Sequence, residues 1–415
     1  MITIAILGFG NRGSRYAYQL AHNKDAEIVA VCDKKRALLD GATASYGSRV
    51  RTFESDEEFF AAGKLADALI IATQDRDHYK HALAALKAGY HLLLEKPVSP
   101  TYSECQEIAE SAKEKGLSVV VCHVLRYAPF YHSIKQTIDA GLIGDIVSIN
   151  DTENVGYWHF AHSYVRGNWR NQAESGPSIL AKCCHDLDII YYFTGQKSVE
   201  VFSSGSRKLF LKENAPSGAA DYCLAPCPHR RECPYDVKKI YYGFTRYTYP
   251  RLIWHKRLIT GKPKAKIKEL REALKTSPYG RCVYKCDNDV VENQNVAVKL
   301  QNGINANLTM TAFSEGCFRR LHICGTKGEI IGVDAKHKFK LNIFGGPLKT
   351  VKTQSGLISG HLGGDAGIIA DFIEFLKTGK VNPRMSFIDV TLESHRMAFA
   401  AEKSRESGQA VFIEN

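Results

Sequence analysis

No stretch of this 415-residue chain approaches the ~18–20 consecutive apolar residues that cross a bilayer. Met1–Leu7 is apolar but lacks a basic flank and a small-residue cleavage site, which argues against a secretory signal and for a cytoplasmic protein with no membrane partner. Tryptophan (3) and methionine (4) are sparse, yet 44% hydrophobic and 24% charged residues give the balance of a globular chain, long enough for two domains. Acidic residues are outnumbered 44 to 55, for a net charge of +11. The excess is local: Lys238–Lys275 holds twelve Lys or Arg against Glu269 and Glu272 alone, interleaved with Tyr241, Tyr242, Phe244, Tyr247, Tyr249 and Trp254. No nucleic-acid module accompanies that stretch, so it reads as a solvated or subunit-facing surface and no nucleic-acid partner is expected.

What is present begins with a short buried strand, Ile2–Leu7, followed by Gly8-Phe9-Gly10-Asn11-Arg12-Gly13 and a helical stretch from Ser14. In strand–G-x-G-x-x-G–helix the glycines permit the tight turn, the approach of a pyrophosphate and close helix packing, while the helix N-terminus attracts phosphate. Glu27–Cys32 is a second strand ending in Asp33, placed to accept bonds from the ribose hydroxyls and to favour NAD. Lys34, Lys35 and Arg36 follow at once and leave NADP use open. Further strands end at Thr73, at Glu95-Lys96-Pro97 and at Cys122, separated by helices over about 78–87 and 103–115. The alternation predicts a doubly wound parallel sheet with ligands at its carboxyl edge.

At Glu95-Lys96-Pro97 the chain resembles the glucose–fructose oxidoreductase, inositol dehydrogenase and rhizopine-catabolism oxidoreductase family (Gfo/Idh/MocA). Thr73…His78, Ala88-Gly89-Tyr90-His91, Gly141–Ile146, His185-Asp186-Leu187-Asp188 and Gly325–Glu329 carry the same resemblance in the same order. It implies an N-terminal Rossmann domain, residues 1–124, and a C-terminal α/β domain with an open, mainly antiparallel sheet, residues 125–415. It also implies homodimers or homotetramers, a small sugar or polyol substrate, and a C-terminal helical segment from about Asp365 to Glu406 near the first domain. The cofactor set carried over is Gly8, Phe9, Gly10, Asn11, Arg12, Gly13, Asp33, Thr73, His78, Glu95 and Lys96.

Lys96 takes the family's role of touching both substrate hydroxyl and nicotinamide; a partly desolvated lysine exchanges protons readily. The helical stretch Ser178–Phe193 resembles the family's D-x-x-x-H-x-x-D, with His185 as general base and Asp188 three residues on. The first aspartate of that pattern falls on Ala181, followed by Lys182, which is expected to reach the substrate. This departure keeps two other readings beside the sugar dehydrogenase: an NAD-retaining, redox-neutral glycosidase or lyase working through a transient keto-sugar, and a non-catalytic NAD-binding sensor.

Gly156–Arg170 crowds aromatic and polar side chains as sugar recognition does, and His159, His162, Tyr164 and Arg166 are the candidates there. A structural aromatic cluster is the plainer alternative. Arg126 and Tyr127, after the strand ending at Cys122, are placed near the nicotinamide. Of twelve cysteines, Cys223, Cys227, Cys233, Cys282 and Cys286 cluster in an insertion over about 209–291, spaced C-x3-C-x5-C and C-x3-C. Cys223, Cys227, Cys233 and Cys282 are candidate ligands of a structural zinc; free thiols and a disulfide or redox role are the competing readings.

Overall fold

The protein is described by a computed structural model at residues 1–242, 256, 258–262, 265–354 and 361–414. Phe244, Tyr247, Tyr249 and Trp254 of the basic, aromatic stretch lie outside the described residues. The first sheet contains β1 (Ile2–Leu7), β2 (Ala26–Cys32), β3 (Arg51–Phe53), β4 (Ala68–Ile71), β5 (His91–Leu94) and β6 (Val119–Val121). All pairings are parallel, in the order β3-β2-β1-β4-β5-β6. Strands covered on both faces must be apolar throughout, and β4 and β6 are: every residue is buried. Register fixes the site. Leu7 pairs with Cys32 and Ile71, Ile71 with Leu94, and Leu94 with Val121. Gly8, Asp33, Thr73, Lys96 and His123 therefore follow strand ends along one edge, at the point where the strand order reverses.

Helices Asn11–Ala21 and Arg36–Tyr46 cover one face through Tyr16, Ala17, Leu20, Leu38, Leu39 and Ala42. The same apolar cluster is completed from the far end of the chain by Ile368, Ile369, Phe372 and Ile373 of helix Gly364–Thr378. Helices His78–Lys87 and Tyr102–Glu114 cover the other face. The second C-terminal helix, Ile388–Ser407, packs against β6, helix Tyr102–Glu114 and strand Ser198–Ser206 of the second sheet.

That second sheet has nine strands among the described residues: β7 (Ile146–Asn154), β8 (Ser198–Ser206), β9 (Asn293–Leu300), β10 (Asn305–Thr311), β11 (Phe318–Gly325), β12 (Gly328–Val333), β13 (Lys338–Ile343), β14 (Lys349–Lys352) and β15 (Val411–Phe412). Their order is β14-β13-β12-β11-β7-β10-β9-β8-β15. All pairings are antiparallel except β7 with β10. Period-two alternation turns Val296, Val298 and Leu300 inward and leaves the other face polar, where Asn307 bonds Asn150 and Thr309 bonds Asn295. The fold is the expected Rossmann sheet plus a mainly antiparallel α/β domain. Among the described residues no helix is long and apolar enough to cross a membrane.

One element departs from expectation. The continuous helix expected over 178–193 is two helices, Ser178–Ala181 and Cys184–Thr194, broken at Lys182-Cys183. The break coincides with Lys182 reaching Glu153 on β7 (Nζ–Oε1 3.1 Å).

Candidate active site at the carboxyl edge of the parallel sheet

The phosphate cradle is tested by what a side chain would meet. At Gly8 (φ +89°) an added Cβ would lie 2.5 Å from the Ala72 oxygen, and at Gly13 it would overlap the Gly8 carbonyl; both glycines are demanded by the fold. Gly10 is different: among the described residues nothing lies within 4 Å of the position a Cβ would take, so the protein's own packing does not demand glycine there. It caps helix Asn11–Ala21, whose first turn carries no acidic residue and no side-chain cap. Open space over a bare helix N-terminus is what a pyrophosphate needs, so these residues fit a dinucleotide.

Around the cradle, Asp33 accepts from Phe9 N–H (2.7 Å) and Lys35 N–H (2.9 Å), tying the β2 end to the glycine loop. Arg36 is engaged by Asp40 and Glu54 (3.0 and 2.8 Å). Arg12 turns from the cradle into a buried network: its guanidinium bonds Glu95 (2.5 Å) and Asp365 (2.8 Å), and Tyr16 donates to the same Glu95 oxygen (2.6 Å). Burial would raise the Glu95 pKa, but Arg12 and Lys96 outweigh it and hold the carboxyl below its ordinary value. Arg12 and Glu95 thus lock the first helix, the β5 end and the C-terminal helix together. Thr73 Oγ1 meets His81 Nδ1 (3.0 Å), and His78 donates from Nδ1 to the Pro97 carbonyl (2.7 Å), clamping the turn that carries Lys96.

The catalytic candidates share a neighbour, His123: Lys96 acts on it electrostatically and His185 lies against it. Lys96 Nζ donates to the Ala181 carbonyl (2.7 Å) at the helix break, so a backbone oxygen stands where the family pattern has a carboxylate nearby. His185, in the first turn of Cys184–Thr194, is buried and lies edge-on to His123, ring centroids 5.6 Å apart. Asp75, just beyond β4, is 6% exposed and accepts from Trp169 Nε1 (2.8 Å); burial raises its pKa, with His78 and Lys96 opposing. Asn168 bonds Gln74 (3.1 Å) beside it, so segment Gly156–Arg170 closes on the β4 end.

The remaining substrate candidates are deployed differently. Asp188 is committed to Arg126 in a buried two-point pair (2.7 and 2.6 Å). Lys182 is turned into the second domain; burial, the largest influence, opposes its charge, but Glu153 together with Cys317 and Asp186 outweighs it and the pKa lies above the lysine norm. Glu153 also meets Arg319 (2.8 Å), which bonds Asp186 (2.5 Å). Tyr127 is buried, its Cβ within 2.8 Å of where a side chain at Gly367 would start, with Arg384 over its ring at 5.2 Å. His159 lies half-buried beside Tyr164, whose ring stacks on Phe160 at 5.1 Å. His162 bonds the Tyr241 hydroxyl (2.9 Å) and stacks on Tyr279 at 4.7 Å. Arg166 is fully buried, donating to the Arg281 and Tyr235 carbonyls (2.7 and 2.9 Å). His162 and Arg166 therefore anchor the insertion, whereas Asp75 lies near Lys96 with Trp169 bonded to it, and His185 lies against His123.

The expected zinc cage is not supported: the candidate sulfurs do not close to ligand spacing, although Cys223, Cys227, Cys233 and Cys282 lie near enough to act on one another electrostatically. A tetrahedral site needs four sulfurs each ~2.3 Å from one point. Among the described residues the one group of three or more metal-type donors converging within 4.8 Å is His322, Cys324 and Glu329. Cys223, Cys227, Cys233 and Cys282 are not in it, and they are free thiols. Burial pushes the Cys233 and Cys282 thiols above their ordinary pKa. Sequence reasoning passed over Asp75 and His123, although the rule that found Thr73 and Lys96 applies to both: each follows the end of a buried parallel strand.

Comparison with known proteins agrees with this two-domain fold. The profile described as "Oxidoreductase family, NAD-binding Rossmann fold" matches residues 2–123, and "Oxidoreductase family, C-terminal alpha/beta domain" matches residues 135–412. Relatives include Oxidoreductase P35 of Formosa agariphila (30% identical, 50% of this chain, 64% of that protein). Another is the Inositol 2-dehydrogenase/D-chiro-inositol 3-dehydrogenase of Lactiplantibacillus plantarum (26%, 48% of this chain, 55% of that protein). A third is the 2,7-anhydro-N-acetylneuraminate hydratase of Escherichia coli (24%, 47% of this chain, 50% of that protein). The alignments thus span 50% to 64% of these relatives' own lengths. With both halves of the chain matched in order, this protein belongs to the Gfo/Idh/MocA family of NAD-binding oxidoreductases.

Proposed function

We propose that the protein transfers a hydride between NAD and a secondary hydroxyl of a sugar, glycoside or cyclitol. The observation that supports it most is the grouping of Lys96 and His185 about His123, on the strand-end edge that carries the glycine cradle left open at Gly10. The bound nicotinamide supplies hydride acceptance or donation. Lys96, fixed by the Ala181 carbonyl, orients the hydroxyl oxygen, and His185 takes the hydroxyl proton as the C–H bond breaks. Gly8, Phe9, Gly10, Asn11 and Gly13 would line the pyrophosphate, with Asp33 and Thr73 at the neighbouring strand ends; Asp33 favours NAD over NADP. Association into a homodimer or homotetramer is part of the reading.

A second reading has its own observation. Ala181 brings no carboxylate and Lys182 is held by Glu153, so the crevice departs from the polyol pattern, and one relative is by name a hydratase. A retained NAD would supply reversible hydride acceptance there, while Lys96 and His185 would hold and move the hydroxyl proton before and after elimination or glycosidic cleavage. Absorbance at 340 nm over a panel of polyols, sugars, glycosides and uronic acids, with product analysis, separates the two. NADH accumulating with substrate supports the dehydrogenase. Product without net NADH supports the redox-neutral enzyme. Lys96→Ala that leaves cellular function intact would overturn both in favour of a sensor.

A further inference from the structure

We infer that His123 is a positioning residue for His185: a neutral imidazole, buried edge-on against the proposed base, placed to accept the N–H that His185 keeps on its non-reacting ring nitrogen, an interaction that strengthens when the base carries the substrate's proton. The inference rests on His185 being that base.

His123 follows β6, at the fifth strand end of the crevice, and its exposure is 0%. Among the described residues neither ring nitrogen has a hydrogen-bond partner. A buried polar atom left unpaired is destabilising, and an apolar ring of similar shape would fill this space without that cost. Packing alone therefore does not call for histidine. The ring stands between two others: His185 at 5.6 Å and 79°, and His395 at 6.0 Å and 74°. His395 is fully used, accepting from Val98 N–H (2.9 Å) and facing the Thr391 carbonyl (3.2 Å). It is a fixed wall, and His185 is the neighbour whose charge changes in the reaction.

The surrounding charges keep His123 neutral. Lys96 and Glu95 face it from the β5 end, Arg126 from the turn after β6, Asp188 from helix Cys184–Thr194 and His395 from helix Ile388–Ser407. Burial is the largest influence, Arg126 and Lys96 add to it, and the pKa lies well below the histidine norm. Asp188 Oδ2 is 3.8 Å from Nδ1, too far to bond, and is committed to Arg126. A ring that resists protonation cannot take the proton onward, but its lone pair can accept a hydrogen bond from an imidazolium. Proton balance is simple: the hydroxyl proton moves to His185 and stays there while hydride leaves carbon, and His123 neither gains nor loses one.

The test uses the full chain with NAD bound, its histidines labelled with 15N, and the His185 ring signal assigned from the spectrum of His185→Gln. His123→Phe is expected to lower the His185 titration midpoint by about one pH unit, the worth of a hydrogen bond to a charged group. Melting temperature and NAD affinity should hold. His123→Gln, which keeps an acceptor, should restore most of the midpoint. If a substrate is in hand, kcat in His123→Phe should fall about tenfold or more with KM unchanged. An unmoved midpoint in His123→Phe overturns the inference whatever the substrate proves to be, as does a lower midpoint that His123→Gln fails to restore. If His123→Phe does not fold, His123→Leu against His123→Gln carries the same comparison. A shifted midpoint in a protein that turns over nothing would keep the pairing and overturn the proposed reaction instead.

Discussion

The glycine cradle yields a prediction that separates binding from folding. Gly10→Ala adds one methyl where no described protein atom lies within 4 Å, at a residue with φ −67° and ψ −147°. Folding stability should change by no more than about 1 kcal/mol, since the methyl displaces no described protein atom and the entropy it removes from the unfolded chain is of that size. The methyl stands where the pyrophosphate would lie, so NAD affinity should fall at least about tenfold, ~1.4 kcal/mol. The contrast is Gly13→Ala, whose methyl would overlap the Gly8 carbonyl and force helix and loop apart. That variant should lose about 1–3 kcal/mol of stability, as overpacked cores do. Calorimetric titration with NAD, beside thermal melts with and without it, reads both quantities. At 100 times the dissociation constant NAD should stabilise the parent by ~2.7 kcal/mol, and Gly10→Ala by much less at the same concentration. Parent-like NAD binding in Gly10→Ala would refute the placement of the pyrophosphate.

Other expectations follow from buried charge. Asp188→Asn removes the partner of Arg126, leaving a guanidinium unpaired in the interior, and should cost about 3–5 kcal/mol in denaturant unfolding. Asp151 on β7 has both oxygens buried without partners among the described residues, and burial, with Asp186 next, raises its pKa well above the usual range. A carboxyl whose folded pKa exceeds its unfolded one favours the folded state at low pH. It gives up that stability as pH rises from about 4 toward the folded pKa, by at most ~1.4 kcal/mol per pH unit. Asp151→Asn should flatten that decline in a pH series of melts. Exhaustive chelation should leave the melting temperature unchanged, because the four candidate zinc sulfurs do not converge; a fall of several degrees would restore the zinc reading.

The strands and their ends were legible because each signal is local: an apolar run, a glycine turn, an acid or lysine just beyond. Helix His78–Lys87 falls where its periodicity placed it. The second-domain candidates were harder, since residue type alone does not say which way a side chain points. Arg166 and His162 read as sugar ligands in a polar, aromatic loop, yet that loop begins as one helical turn, Tyr157–Phe160, and continues through Ala161–Arg166 with both residues facing the insertion. Lys182 read as a substrate contact because its partner, Glu153, lies on β7, a strand whose register the sequence does not reveal. The cysteines of the two segments do come near one another, but spacing along the chain does not say whether their sulfurs close to ligand distance, and they do not.

Domain order along the chain also hides a dependence that can be tested. The parallel sheet is complete by Val121, but one of its faces is finished by Ile368, Ile369, Phe372 and Ile373. The edge at β6 is capped as well: Val121 N–H donates to the Ser386 carbonyl (2.8 Å), Ser386 Oγ donates back to Val121 (2.7 Å), and Val120 pairs with Phe387. At about 1.5–3 kcal/mol per buried large side chain, the four helix residues alone are worth roughly 6–12 kcal/mol, comparable to the whole stability of an ordinary domain. Residues 1–124 expressed alone should therefore be aggregation-prone and melt without cooperativity, despite containing the entire dinucleotide fingerprint. Joining 361–407 to them through a flexible linker should recover a cooperative transition and NAD binding. A soluble 1–124 fragment that unfolds cooperatively would show that the C-terminal helix only decorates the sheet. The expected failure would mean that the strand-end edge is held by the second domain twice over: by helix Gly364–Thr378 beneath it, through Arg12 and Asp365, and by Trp169 on Asp75 near Lys96.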